Sequence, residues 1–168
     1  FMVAANQEVA PPEYYAALNA RLGGAVNANF GSRYNKWIYG YRAQRITEMI
    51  RQSAPHTPAT YRAMQNDDVN LSAAEVLPYI KKLELSNGDL AAARDWLMQW
   101  DRRFGEESPQ AVLYAMFWKR LTGLVFQDKL GDVAKSDAAD KEMWAMKLLL
   151  ANPDDAWWDD STTKNKIE

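Results

Sequence analysis

A chain of 168 residues, 48% hydrophobic and 25% charged, carries enough apolar material for one domain with a real core. Its formal net charge of −2 argues against a dedicated nucleic-acid binder, which would concentrate basic residues to meet phosphates. The lack of cysteine excludes disulfides and thiolate metal sites; the longest apolar run, residues 111–118, stops at Lys119 and Arg120, far short of the roughly 20 residues that span a bilayer.

Residues 1–7, Phe-Met-Val-Ala-Ala-Asn-Gln, read as a short apolar strand ending on two neutral amides. A strand that ends on Asn6 can aim a fixed amide donor into a cleft, as an oxyanion-stabilising site requires. Asn and Gln after a strand also mark ordinary turns. A start at Phe1, with no charged leader before an apolar segment, reads as a piece of a longer polypeptide. Val9-Ala10-Pro11-Pro12 is expected to be extended, since adjacent prolines remove donors and disfavour helix. Residues 14–22 predict a short helix. Gly23, Gly24 and Gly31 with Asn27, Asn29 and Asn35 make residues 23–36 an irregular loop, long enough to be functional.

From Arg42 the pattern becomes helical. Ile46, Met49 and Ile50 recur at three- and four-residue spacing with Arg45, Glu48 and Arg51 between them, and the helix ends near Ser53. Thr57-Pro58 is a cap followed by proline at the first helical position. Ser72-Ala-Ala-Glu75 matches a capping box ahead of Val76, Leu77, Ile80 and Leu83, and Pro78 predicts a kink or a late start near Leu77. Residues 86–89 form a break and a cap leading into 90–100, where Ala93, Trp96, Leu97 and Trp100 build an apolar face. Ser108-Pro109 starts a further helix, with Leu113, Phe117, Leu121, Leu124 and Val125 facing a core and Gly131 ending it. Ser136 or Asp137 caps a last helix, ended by Asn152-Pro153. The fold class is mainly α: one irregular multi-helix domain over residues 1–168 with a short β-strand stub at its N-terminus.

Free-standing chemistry is scarce in this pattern. His56, the only histidine, sits in a proline-flanked loop with no nucleophile elbow anywhere in the chain, so a Ser-His-Asp device is not expected. Asp154, Asp155, Asp159 and Asp160 lack the spacing and central glycine of an EF-hand loop, and read as a solvated acidic loop flanking buried Trp157 and Trp158. Asp67 and Asp68 are adjacent and point apart, which favours surface or capping roles over shared acid-base work. The seven tryptophans could stack on a ligand, but Trp96 and Trp100, at helical spacing, read as core.

Taken together, Val3-Ala4-Ala5-Asn6-Gln7 with Pro11-Pro12-Glu13-Tyr14, Gly40-Tyr41-Arg42-Ala43-Gln44-Arg45-Ile46, Met64-Gln65-Asn66-Asp67, Leu71 to Pro78, and Asn152-Pro153-Asp154 before Trp157-Trp158 resemble the penicillin acylase family of N-terminal nucleophile hydrolases. The resemblance covers almost the whole chain, as an internal helical part of the family's large catalytic subunit. It implies an excised piece of a larger α/β/β/α hydrolase that cleaves a linear amide of penicillin, cephalosporin side-chain or acyl-homoserine-lactone type through an acyl-enzyme. The family's nucleophile is a Ser at a chain N-terminus made by self-cleavage, activated with help from its own α-amine. Phe1 departs from that, so the isolated chain is expected to be inactive.

The resemblance places Asn6 at the family's oxyanion-hole asparagine and Arg45 at its active-site arginine. An amide donates without titrating, and a guanidinium fork can orient Asn6 or a substrate carboxylate. The loop at 23–36 and the helix at 42–51 would border the acyl-binding cleft. Calcium is implied only for the parent enzyme, with no ligand assigned in this chain and no other cofactor. The implied partners are the remainder of the parent amidase, meaning its nucleophile-bearing segment and small subunit, and a small-molecule amide substrate. Neither nucleic acid nor membrane is expected, and the family implies a periplasmic or secreted location. The same residues also admit a reading from another class, a non-catalytic helical interaction or ligand-binding module using exposed tryptophans.

Overall fold

The computed structural model describes residues 1, 3–5, 12–21, 40–131 and 139–159. The chain divides into two compact units, Phe1–Met64 and Gln65–Glu168, and helices dominate the described residues of both. The mainly α expectation is met. Among the described residues there is no sheet, only an isolated antiparallel bridge between Val69 and Arg103. Phe1, Val3 and Ala4 belong to no helix or strand and Ala5 bends, which differs from the strand expected over residues 1–7. A strand exists only as half of a ladder, and the described residues contain no sheet to receive one.

In the first unit, α1 (Pro12–Arg21) begins on Pro12 itself, where extended backbone is expected from the sequence. Proline suits a first helical position because its missing N–H would have no partner there, and Glu13 and Arg21 at the two ends complement the helix dipole. α2 (Tyr41–Gln52) follows Gly40, whose φ of 108° lies in the left-handed region open to glycine. It closes on Ser53, whose N–H donates to the Met49 carbonyl. α3 (Pro58–Gln65) is capped reciprocally: Thr60 N donates to Thr57 Oγ1 at 3.2 Å, and Thr57 N donates to Thr60 Oγ1 at 2.9 Å. Two of the helix's orphan donors are thereby satisfied. The loop at 23–36 lies outside the described residues.

In the second unit, α4 (Leu71–Lys81) is capped by Asn70 and not by the expected Ser72 box. Asn70 Oδ1 accepts from Ala73 N at 3.0 Å and from the Ser72 hydroxyl at 2.6 Å, so the Asn70 amide takes the capping role and engages the Ser72 hydroxyl as well. Pro78 lies inside this helix rather than at its start, deleting only the hydrogen bond to the Ala74 carbonyl. α5 (Gly88–Leu97) is capped by Asn87, which accepts from Asp89 N and Leu90 N. Leu97 and Trp100 are buried as expected, but Trp96 is exposed. α6 (Pro109–Thr122) starts at the Ser108 cap and runs into a π-helical turn, Gly123–Gln127, then a short α7 (Asp128–Leu130) ended by Gly131. The wide turn re-aims the helix face, turning Val125 and Phe126 inward and leaving Leu124 in solvent.

α8 (Ala139–Ala151) follows; its expected caps, Ser136 and Asp137, lie outside the described residues. Met143, Met146 and Leu149 recur at three-residue steps and are buried, whereas Trp144 and Leu148 on the other side are exposed. Val125, Phe126, Met146 and Leu149 form a core cluster, covered by Trp118, Leu121, Trp157 and Trp158. Burying each such side chain contributes roughly 1.5–3 kcal/mol. Trp157 and Trp158 sit in a 3₁₀ turn, Ala156–Trp158, and donate their indole N–H groups to Val125 O and to Leu149 O and Asn152 O. Lys147 Nζ meets Glu75 Oε2 at 2.9 Å, joining α8 to α4.

Candidate functional site

On α2, Ala43, Gln44, Thr47, Glu48 and Arg51 recur at helical spacing and share one side of the helix. With Phe1 and Val3 they line an open cleft of about 830 Å³ in the first unit. Phe1 and Val3 contribute apolar surface on one side, and the α2 row contributes Ala43 with an amide, a hydroxyl, a carboxylate and a guanidinium on the other. Such a mixture can hold an amphiphilic small molecule, with the polar groups fixing its orientation.

Arg45 stands beside this row. Its Nη1 is 3.6 Å from Glu48 Oε2, and its side chain is 22% exposed. Gln44 Nε2 donates to the other oxygen, Glu48 Oε1, at 2.9 Å. One carboxylate on the cleft wall therefore engages two neighbours that the helix repeat brings to it at i−4 and i−3. Asn6, the second expected site residue, lies outside the described residues.

The remaining candidates have ordinary surroundings. His56 is exposed and packs its ring 5.7 Å from that of Tyr61. Asp68 accepts from Arg103 Nη1 at 2.8 Å and Asp67 Oδ1 lies 3.8 Å from the same atom, which fastens the segment before α4 to the one after α5. Asp155 caps Trp157 N at 2.9 Å. Among the described residues no three His, Asp or Glu side chains are grouped so as to hold a metal ion. No described helix is long and apolar enough to cross a membrane.

The family model described as penicillin amidase matches residues 1–168, the whole chain. The chain belongs to the penicillin amidase family. Among curated proteins it is similar to the acyl-homoserine lactone acylase QuiP of Pseudomonas aeruginosa, at 28% identity over 163 residues. That likeness covers 84% of this chain and 19% of the relative, so the chain spans about a fifth of the length of the curated protein it matches. No solved structure matches it significantly.

For this penicillin amidase family member, the helix at 42–51 is expected from sequence to border a cleft, and α2 does line one, whereas Thr47 as a lining residue is not singled out by the sequence pattern. The signal was present as polar residues at 44, 47, 48 and 51, a second stripe beside the apolar one at 46, 49 and 50. What no local pattern could supply is the other wall, because Phe1 and Val3 lie some forty positions away in the chain.

Proposed function

We propose that the protein to which these residues belong hydrolyses a linear, non-peptide amide bond through an acyl-enzyme. The family match over all 168 residues carries this reading. In it, a Ser at a self-generated N-terminus, in a part of the protein beyond this chain, attacks the amide carbonyl while its α-amine takes the hydroxyl proton. Asn6 donates its side-chain N–H to the tetrahedral oxyanion, and Arg45 orients Asn6 or the substrate with its fork of donors. Collapse of the intermediate expels the amine, which takes the proton held by the α-ammonium, and water, deprotonated by the same α-amine, then releases the acyl group from the Ser ester as a carboxylic acid.

The substrate classes of this reading are penicillin and cephalosporin side-chain amides and N-acyl-homoserine lactones; the likeness to the Pseudomonas acyl-homoserine lactone acylase favours the last. The partners are the remaining segments of the parent enzyme, including its small subunit. Calcium belongs to that parent, and the location is periplasmic or secreted. The 168 residues alone, without a nucleophile, turn over no amide. The test incubates the full-length processed protein and the isolated chain with N-decanoyl-homoserine lactone, penicillin G and glutaryl-cephalosporin, and measures free amine. Release by the full-length protein alone is expected. A processed full-length protein silent on all three, or hydrolysis by the isolated chain, overturns the reading.

A further inference from the structure

We infer that Glu48 is a positioning residue for Arg45, setting the guanidinium through the carboxylate that lines the cleft. This rests on the amidase reading above, in which Arg45 orients the oxyanion donor or the substrate. Three observations converge on Glu48. Its Oε2 is ion-paired to Arg45 Nη1 at 3.6 Å. Its Oε1 accepts from Gln44 Nε2 at 2.9 Å, which restrains rotation of the carboxylate about its own axis. It also forms part of the cleft wall that Arg45 does not itself line. All three residues stand on one helix within five positions, so the backbone of α2 fixes their relative placement.

A long arginine side chain has many rotamers to choose among, and a bidentate role requires one orientation of the planar fork. A negative charge held on one side by an amide selects among those rotamers. Glu48 thus acts on the reaction through Arg45, and Gln44 supports it by holding the carboxylate.

The test is a double-mutant cycle on the full-length processed enzyme with N-decanoyl-homoserine lactone as probe. Glu48→Gln keeps the shape and an oxygen that can accept from Gln44, and removes only the charge. It is expected to lower kcat by about three- to tenfold, between the worth of a half-exposed ion pair and the effect of a misplaced group, with KM within about twofold. In an Arg45→Ala background the same change should have no further effect. Arg45→Lys serves as a second background should Arg45→Ala fail to fold, and there the effect of Glu48→Gln should shrink. If Arg45→Ala lowers kcat while Glu48→Gln leaves it at the wild-type value, the inference fails and the amidase reading stands. If Glu48→Gln costs as much with Arg45 replaced as with it present, Glu48 acts by another route and the inference also fails. If Arg45→Ala is itself harmless, the role given to Arg45 falls and takes the inference with it.

Discussion

The indole nitrogen of Trp157 donates to the carbonyl oxygen of Val125 across 2.9 Å, tying a 3₁₀ turn to the π-helical turn that follows α6. A π turn interrupts the regular α-helical ladder, and here a side chain from outside the helix serves one of its carbonyls. Trp157→Phe keeps most of the ring contact with Phe126, at 6.3 Å between centroids, and removes the donor. A loss of about 1–2 kcal/mol is expected, the cost of leaving a part-buried acceptor unserved. Urea unfolding of the 168-residue chain should show a lower midpoint at unchanged slope.

Arg102 carries a φ of 67° in the turn between α5 and α6, with its carbonyl accepting from Asn70 N at 2.8 Å. The left-handed region costs a residue with a Cβ about 1–2 kcal/mol, and glycine enters it freely at the expense of a more flexible unfolded chain. Arg102→Gly should therefore stabilise by about 0.5–1 kcal/mol. A destabilised variant in the same urea titration would show that the arginine side chain contributes contacts that outweigh the strain.

Tyr114 is buried, and among the described residues its hydroxyl makes no hydrogen bond of good geometry, with only the nearby Ser72 side chain to ease its burial. Burial pushes its pKa from 10.0 up to about 12, with the Ser72 side chain opposing in part. The native state thus holds the phenolic proton more tightly than the unfolded chain does. That contribution to stability is full below pH 10 and is lost as pH rises towards about 12. Tyr114→Phe should match or exceed wild-type stability near neutrality, since it removes a poorly served buried hydroxyl, and should lack this alkaline component. Thermal melts across the alkaline range, beside an ultraviolet titration of phenolate, check both statements.

Helix existence was readable from period and caps because those signals are local. Thr57-Pro58 and Ser108-Pro109 mark their helices directly. The choice between Asn70 and Ser72 was less legible, since both are good caps and the helix start is decided by where Ala73 N finds its acceptor. Burial of individual tryptophans was not legible either. Trp96 and Leu97 are neighbours on one helix, and only packing against α6 and α4 decides that Leu97 turns in. The π turn left Leu124 outside although its spacing from Leu121 argues for the core. At the candidate site the α2 row, Glu48 included, follows from the helix repeat, whereas Phe1 and Val3 join it through tertiary structure alone.

Arg45→Lys in the processed parent enzyme keeps the charge and removes the fork. If Arg45 orients a donor or a substrate, kcat should fall by about tenfold or more while KM moves less, because a point charge cannot supply two parallel hydrogen bonds. Wild-type kinetics in this variant would reduce Arg45 to a general field and remove the reason for its fixed geometry.

Donation from Asn6 to an oxyanion is tested most directly by steady-state kinetics of the processed Asn6→Ala parent enzyme on N-decanoyl-homoserine lactone. A fall of about 10²–10³ in kcat with KM little changed is expected, the usual consequence of removing one oxyanion donor. A kcat within about threefold of wild type, well short of that range, would contradict it and leave Asn6 an ordinary turn residue.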